Sequence, residues 1–158
     1  NGLDVVALPL EGGDAVTYLG GRADETQAQF SPDGRWVAYT STESGRPEVY
    51  VQPFPATGAK WQVSTAGGEQ PRWRRDGREL FYLSADRKLM AVEVNGSSDT
   101  FQVGVPRLLF EPRVSSISGD SPYDVAADGK RFLVKVPVEE TAPAPATVLL
   151  NWTADLKR

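Results

Sequence analysis

Short runs of apolar and aromatic residues alternate with polar residues along the chain, and turn-forming residues separate the runs. Runs such as WVAYTS at 36–41 and ELFYLS at 79–84 are rich in aromatic and β-branched residues, as β-strands are. No long stretch places its apolar residues at helical spacing. The pattern therefore predicts an all-β protein.

Three Asp-Gly pairs divide this pattern into repeats. An apolar residue lies three positions before each aspartate and an apolar strand follows each glycine, with the aspartates at Asp33, Asp76 and Asp128, separated by 43 and 52 residues. Glycine adopts the positive φ that a tight turn requires, and aspartate hydrogen-bonds its own backbone there. Each repeat is therefore predicted to begin with a β-hairpin.

A second motif repeats at a similar period. DVVALPL at 4–10 aligns with EVYVQPF at 48–54, and KLMAVEV at 88–94 is a looser third copy. A shorter apolar run follows each copy, at 15–19, 60–64 and 106–110. Four antiparallel strands in ~40 to 50 residues are typical of a β-propeller blade.

The predicted fold is a partial β-propeller that forms a single domain over 1–158, with two full and two partial blades. The pieces are the last two strands of one blade at about 3–20, full blades at 27–65 and 69–110, and three strands at 123–152. The segment EETAPAPA at 139–146 is predicted to be a loop, because proline cannot donate within a central strand.

Composition narrows the chemistry. The chain contains no histidine and no cysteine, which removes the commonest general base, thiolate sites and every Ser-His-Asp arrangement. We therefore expect no enzymatic activity, no cofactor and no metal site. The net charge of −4 argues against nucleic acid as the main partner. The sequence contains no run of ~18 apolar residues, the length needed to cross a bilayer, so we expect no direct membrane insertion.

The hairpins contain residues that could be mistaken for catalytic or metal-binding groups. Ser31 has no histidine to activate it and is replaced by Arg74 and Ala126 in the other repeats. Each Asp-Gly aspartate stands alone, whereas calcium loops gather several oxygen ligands. Glu139 and Glu140 are neighbours, so their side chains point apart in an extended chain. All of these residues are interpreted as turn or loop residues.

One segment mixes arginines with an aromatic residue, as nucleic-acid stacking surfaces do. In PRWRRDGREL at 71–80, strand alternation places Trp73 on the face opposite Arg72 and Arg74, and Arg75 and Arg78 flank the turn. The segment is interpreted as a core tryptophan with exposed arginines.

Polar residues on the first strand of each blade are the candidates for ligand binding, because first strands surround the channel of a propeller. These candidates, named here the channel cluster, are Gln27, Gln29, Gln70, Arg72, Tyr123 and Asp124. The alternative is that they line a channel that holds only water.

The best-preserved repeat resembles a known family. FSPDGRWVAYTS followed by EVYVQPF resembles the WD-repeat-like propeller unit of the TolB family, whereas WRRDG and VAADG keep only the Asp-Gly core. The tail ATVLLNWTADLKR at 146–158 is similar to the ends of propellers attached to bacterial transmembrane serine/threonine kinases. The resemblance implies a non-catalytic platform for a protein or a small ligand, in a larger bacterial protein such as a receptor-type kinase, on the extracytoplasmic side.

Two further expectations follow. An alternative function is that of an accessory propeller that gates a serine peptidase of the prolyl-oligopeptidase type, in which case an α/β-hydrolase domain would follow it. Incomplete blades expose apolar faces and strand edges, so we also expect two copies of this chain to associate as a homodimer.

Overall fold

The computed structural model describes residues 2–97, 100–112 and 121–137, and every regular element in these ranges is a β-strand. The chain begins with a two-stranded antiparallel sheet of β1 (Val5–Ala7) and β2 (Val16–Leu19). It ends, within the described residues, with a second two-stranded sheet of β12 (Tyr123–Val125) and β13 (Phe132–Val134). These strands match the predicted partial blades at 3–20 and 123–152, although the strand predicted at 146–152 lies outside the described residues.

The sheet that follows β2 along the chain, called here the second sheet, is a complete four-stranded blade with its strands in chain order. Its strands are β3 (Glu25–Phe30), β4 (Trp36–Ser41), β5 (Glu48–Pro53) and β6 (Trp61–Gln62). All four are antiparallel, and the Asp33-Gly34 hairpin joins β3 to β4.

The third sheet has one strand more than was predicted. Its strands are β7 (Gly68–Trp73), β8 (Glu79–Ser84), β9 (Leu89–Gly96), β10 (Phe101–Val103) and β11 (Arg107–Phe110). Both β10 and β11 pair with β9, at its two halves. The outermost position of this blade is therefore filled by a strand that is interrupted between Val103 and Arg107.

The faces of the two middle sheets form the largest apolar cluster. Alternate residues of β4 and β8 point toward each other, so Trp36 and Ala38 meet Leu80 and Tyr82. Phe101 completes this cluster, with its ring centroid 4.9 Å from that of Trp36. Burial of these side chains is the main stabilising contribution.

The opposite faces of the middle sheets contact the two end sheets. Tyr39 and Tyr50 of the second sheet pack against Leu19, and Phe81 and Leu83 of the third sheet pack in a cluster with Tyr123. Because both faces of β4 and β8 are covered, these strands are buried along almost their whole length. Sheets stacked face to face in chain order, each antiparallel, are the arrangement of propeller blades, so the chain is an all-β partial β-propeller.

Candidate functional site

Three positions of the channel cluster that are equivalent in the repeat meet in one depression. Gln29 of β3, Arg72 of β7 and Asp124 of β12 line a depression of about 570 Å³, together with Tyr123. An adjoining depression of about 440 Å³ is lined by Gln27, Gln29, Gln70 and Arg72, among others. The first strands of three successive sheets therefore bring all six predicted candidates to one place.

A β-bulge in each complete blade positions these side chains. The register shifts between Thr26 and Gln29 in β3 and between Glu69 and Arg72 in β7. The equivalent residues Gln27 and Gln70 have φ values of 58° and 59°, which non-glycine residues rarely adopt. A bulge re-aims the side chains that follow it and commonly lies beside functional sites. The same strained geometry occurs in two successive blades, and it directs Gln29 and Arg72 to one side.

The side chain of Gln27 joins two sheets. Its Oε1 accepts a hydrogen bond from the hydroxyl of Thr40 at 2.7 Å and another from the backbone N–H of Gln70 at 2.8 Å. The first bond lies within the second sheet and the second bond crosses to the third. Gln27 therefore fixes the spacing of the two first strands and is a structural member of the cluster.

Tyr123 repeats this crossing contact one blade further on. Its side chain is buried, and its hydroxyl donates to the carbonyl oxygen of Gln70 at 2.7 Å. Burial raises the pKa of the Tyr123 phenol far above its usual value, so the hydroxyl keeps its proton and donates at any physiological pH. Tyr123 thus joins β12 to β7.

Gln29, Arg72 and Asp124 present the polar groups that face the depression. Arg72 donates to the carbonyl oxygen of Pro71 at 2.8 Å and to the hydroxyl of Ser121, and its guanidinium lies 5.9 Å from the ring centre of Tyr123. Asp124 is exposed and accepts only from the N–H of Val125 among the bonds of the described residues. The site offers amide, guanidinium and carboxylate groups side by side, which suits recognition of a mixed polar surface.

The hairpin residues serve the turns, as predicted. The hydroxyl of Ser31 donates to Asp33 Oδ1 at 2.7 Å and accepts from the N–H of Trp36 at 3.0 Å. Asp33, Asp76 and Asp128 each accept from the backbone N–H two residues further on. These bonds hold the bend, and Ser31 is tied into the turn through Asp33 and Trp36.

The Arg-rich segment has part of the predicted arrangement. Trp73 is half-buried, packs against the largest apolar cluster and donates from Nε1 to the carbonyl oxygen of Gln29 at 3.2 Å. Arg75 and Arg78 are exposed, as expected. Arg74 is half-buried instead, because it pairs with Asp76 and Glu79, both at 2.8 Å, and Arg72 is half-buried as well.

Two searches of the described residues bear on other kinds of site. No group of three or more His, Cys, Asp or Glu side chains in these ranges is placed to bind a metal ion. None of these residues belongs to a helix long and apolar enough to cross a membrane. Glu139, Glu140 and the tail at 146–158 lie outside the described residues.

Comparison with solved structures places the fold in the class of β-propellers, through its likeness to a TolB structure. A putative TolB from Agrobacterium tumefaciens superimposes with a TM-score of 0.50 over 70% of this chain and 43% of that chain, at 14% sequence identity. At this identity the likeness concerns the fold alone. It agrees with the partial propeller described above.

Sequence comparison finds similarity to two kinds of protein. The chain is 38% identical over 80 residues to Tricorn protease homolog 1 of Streptomyces coelicolor, which covers 49% of this chain and 7% of that protein. It is 38% identical over 58 residues to the Tol-Pal system protein TolB of Pseudomonas aeruginosa, covering 37% of this chain and 13% of that protein. The chain thus spans a small part of these relatives, and no family model matches it.

Some residues of the site carried no signal in the sequence. The bulges at Gln27 and Gln70 were not predicted, because glutamine has no special preference for positive φ. Ser121 and Lys135, which also line the depression, lie just outside β12 and β13. Only the pairing of β12 with β13 brings them beside Arg72.

Proposed function

We propose that this chain is part of a non-catalytic TolB-like propeller that binds a protein, or less favourably a small ligand, at the channel cluster. The observation that carries the proposal is the convergence of Gln29, Arg72 and Asp124, from equivalent positions of three sheets, on one open depression. Arg72 bonds to Pro71 and Ser121 but keeps further N–H donors, and Asp124 is exposed. Polar groups therefore remain available to a partner in the depression.

The composition of the depression favours a protein partner. Its polar groups lie beside Leu133, which is 76% exposed, so apolar and polar contacts are available together. Protein interfaces combine an apolar centre with a polar rim and are enriched in arginine and tyrosine. Arg72 is the accessible residue of these types in the cluster, and the buried Tyr123 supports it from below through its ring.

The test is retention of proteins from an extract of the source organism on the immobilised chain. We expect the wild type and an Arg22→Gln control to retain at least one protein in similar amounts. The double variant Gln29→Ala with Arg72→Gln should retain about tenfold less of it. The purified partner should then show the same difference in Kd. An identical set of retained proteins for all three chains would contradict the proposal.

A second candidate function is supported by one of the comparisons. The similarity to the Tricorn protease homolog suits a propeller that belongs to a peptidase, as in the gating alternative derived from the sequence. The native protein, isolated with an antibody raised against the folded chain, should then carry a hydrolase domain in the same chain and cleave peptides. Deletion of the propeller should increase cleavage of large substrates relative to small ones. A native chain without peptidase activity would exclude this candidate.

The setting of the chain is also a proposal. The resemblance to the TolB family favours an extracytoplasmic location, and a phosphatase fusion that is active only outside the cytoplasm would test it. The receptor-kinase setting depends on the tail at 146–158, which lies outside the described residues. The assignment of 1–158 to one domain is tested by limited proteolysis, which should not divide the chain into separately folded fragments if the sheets form one unit.

Association of two copies follows from the ends of the described structure. Val6, Leu8 and Val16 are exposed at one end, and Leu133 and Val136 at the other. Exposed apolar side chains in neighbouring positions favour association. Light scattering is expected to give twice the mass of one chain, and a stable monomer at all concentrations would contradict the dimer.

A further inference from the structure

A second depression lies between the Asp-Gly hairpins of the two middle sheets, away from the channel cluster. It has a volume of about 470 Å³, and its walls include Trp36, Arg75, Arg78, Asn95 and Gly96. We name it the hairpin groove. It shares no lining residue with the two depressions of the channel cluster.

The two hairpins that form the groove are held in contact. Gly77 has a φ of +71°, and a Cβ at this position would lie 3.8 Å from Cδ of Pro32 in the neighbouring hairpin. Each hairpin is also fixed internally, by an ion pair of Asp33 with Arg35 and one of Asp76 with Arg74, both at 2.8 Å. The groove is therefore formed by two pre-organised turns.

These internal ion pairs leave two arginines of the groove without an acidic partner. Among the described residues, neither Arg75 nor Arg78 forms an ion pair, and both are exposed. The carboxylates nearest to them in the turn are already occupied by Arg35 and Arg74. Guanidinium groups are suited to bind carboxylate or phosphate oxygens through paired N–H donors.

The dimensions of the surface exceed those of a single ion. Arg78, Val94 and Asn95 also line a neighbouring depression of about 640 Å³, to which Gln102 and Arg74 contribute. The two depressions therefore adjoin at the end of β9. Together they offer more space than one phosphate occupies, and Glu93 also lines the second depression.

The wall of the groove contains a buried donor without an acceptor. Trp36 is 5% exposed, and its Nε1 has no hydrogen-bond partner among the described residues. Gly96 lies directly against it, because a Cβ built on Gly96 would stand 2.4 Å from Nε1. A buried donor that lacks a partner destabilises the fold, so an acceptor that reached Nε1 after a shift of Gly96 would form a favourable hydrogen bond.

We propose that the hairpin groove binds an acidic peptide segment, whose carboxylates contact Arg75 and Arg78 and whose backbone lies over the end of β9. This goes beyond the proposed function, since it assigns a second and separate binding surface. Three arginines and two aspartates line the groove, so its net charge is positive by one. The whole chain has a net charge of −4. That contrast favours an acidic partner at this position over general attraction of anions.

The test uses a fluorescein-labelled hexaglutamate peptide and fluorescence anisotropy at low ionic strength. We expect saturable binding that is weakened about tenfold by Arg75→Gln and by Arg78→Gln, because hydrogen bonds to charged groups are worth about 1.5–3 kcal/mol. The matched control Arg22→Gln removes the same charge elsewhere and should change Kd less than twofold. Arg72→Gln, in the channel cluster, should also leave Kd unchanged.

Three outcomes would overturn the proposal. Hexaglutamate could fail to saturate, all charge-removing variants including Arg22→Gln could weaken binding equally, or inorganic phosphate could displace the peptide at equal concentration. The last result would assign the groove to small anions. Arg78→Lys keeps the charge but not the fork of N–H donors, and it should retain part of the affinity while unfolding at the same urea concentration as the wild type.

Discussion

The two middle sheets and the two end sheets contain similar sequence motifs but differ in how much of each strand is buried. Every residue of β4 and nearly every residue of β8 is buried, whereas β1 and β13 alternate between half-buried and exposed residues and β2 is buried only at Leu19. Among the described residues, each middle sheet has a neighbouring sheet on both faces and each end sheet has one. Stability in this chain therefore depends on position in the stack more than on the strand sequence.

This difference explains why a repeat can be degenerate and still fold. The WRRDG hairpin has lost Ser-Pro but lies between two sheets, so packing compensates for a weaker turn. In repeat proteins, stability is approximately a sum of contributions within units and between neighbours. Within the described residues, each of the two end sheets lacks the contribution that a second neighbouring sheet would make.

The largest effect should come from a leucine between the middle sheets. Leu80 is 0% exposed in the largest apolar cluster, so Leu80→Ala should lower the free energy of unfolding by about 2–5 kcal/mol. Leu133→Ala, in an end strand where the side chain is 76% exposed, should cost less than about 0.5 kcal/mol. Urea unfolding measures both. Equal losses would show that the end sheets are as well packed as the middle ones.

The connection between the middle sheets should be the next most sensitive feature. Glu48 has a side chain that is 1% exposed, and it accepts from Arg46 Nε at 2.8 Å, from the N–H of Gly67 at 2.9 Å and from the hydroxyl of Ser64. Glu48→Ala leaves these donors unpaired and should cost about 1–3 kcal/mol. The control Glu43→Ala breaks an exposed pair with Lys60 and should cost at most about 1 kcal/mol in the same urea experiment.

The hairpin of the third sheet should be sensitive to a single methyl group. Gly77→Ala forces alanine into a φ of +71° and should cost about 1–2 kcal/mol. Gly21→Ala, where φ is not positive and a Cβ meets no atom within 4 Å, is the control and should be close to neutral. Thermal unfolding compares the two. A neutral Gly77→Ala would mean that the turn relaxes to another conformation.

The smallest effect concerns pH. The pKa of Asp33 is lowered: burial acts to raise it, but hydrogen bonds from Ser31 and Arg35 outweigh the effect of burial. The pKa of Asp76 is lowered as well, chiefly by the hydrogen bond from Arg74. A folded-state pKa below the unfolded value of about 3.9 stabilises the fold above that pH, and the contribution is lost as the pH falls through the folded-state pKa. Both side chains are about half exposed, so each contributes less than about 1 kcal/mol.

The test compares a double variant, Asp33→Asn combined with Asp76→Asn, in the middle sheets with the single variant Asp128→Asn in an end sheet. The double variant should lose stability at pH 7 and approach the wild type at pH 3. Asp128→Asn should change less, since its ion pair with Arg131 is longer, at 3.5 Å. Unfolding curves at the two pH values provide the measurement, and an unchanged difference between wild type and double variant would contradict the assignment.

The fold could be predicted from the sequence because its turns are encoded locally. Asp-Gly at 33–34, 76–77 and 128–129 set the repeat, and the strands follow from alternation around them. The extra strand β10 could not be predicted, since FQV at 101–103 becomes a strand only by pairing with the end of β9. The site was located by the same repeat, but its geometry depends on the bulges, which arise from contacts between sheets such as Gln27 with Gln70.

Hydrogen exchange measured residue by residue tests most directly the claim that two complete blades, joined through the channel cluster, form the stable centre of the arc. The account predicts the slowest exchange in β4, β5, β8 and β9, slow exchange of the Gln70 N–H that bonds to Gln27, and exchange faster by a factor of about a hundred or more in β1, β2 and β13. Uniform protection of all the strands, or rapid exchange at Gln70, would contradict it.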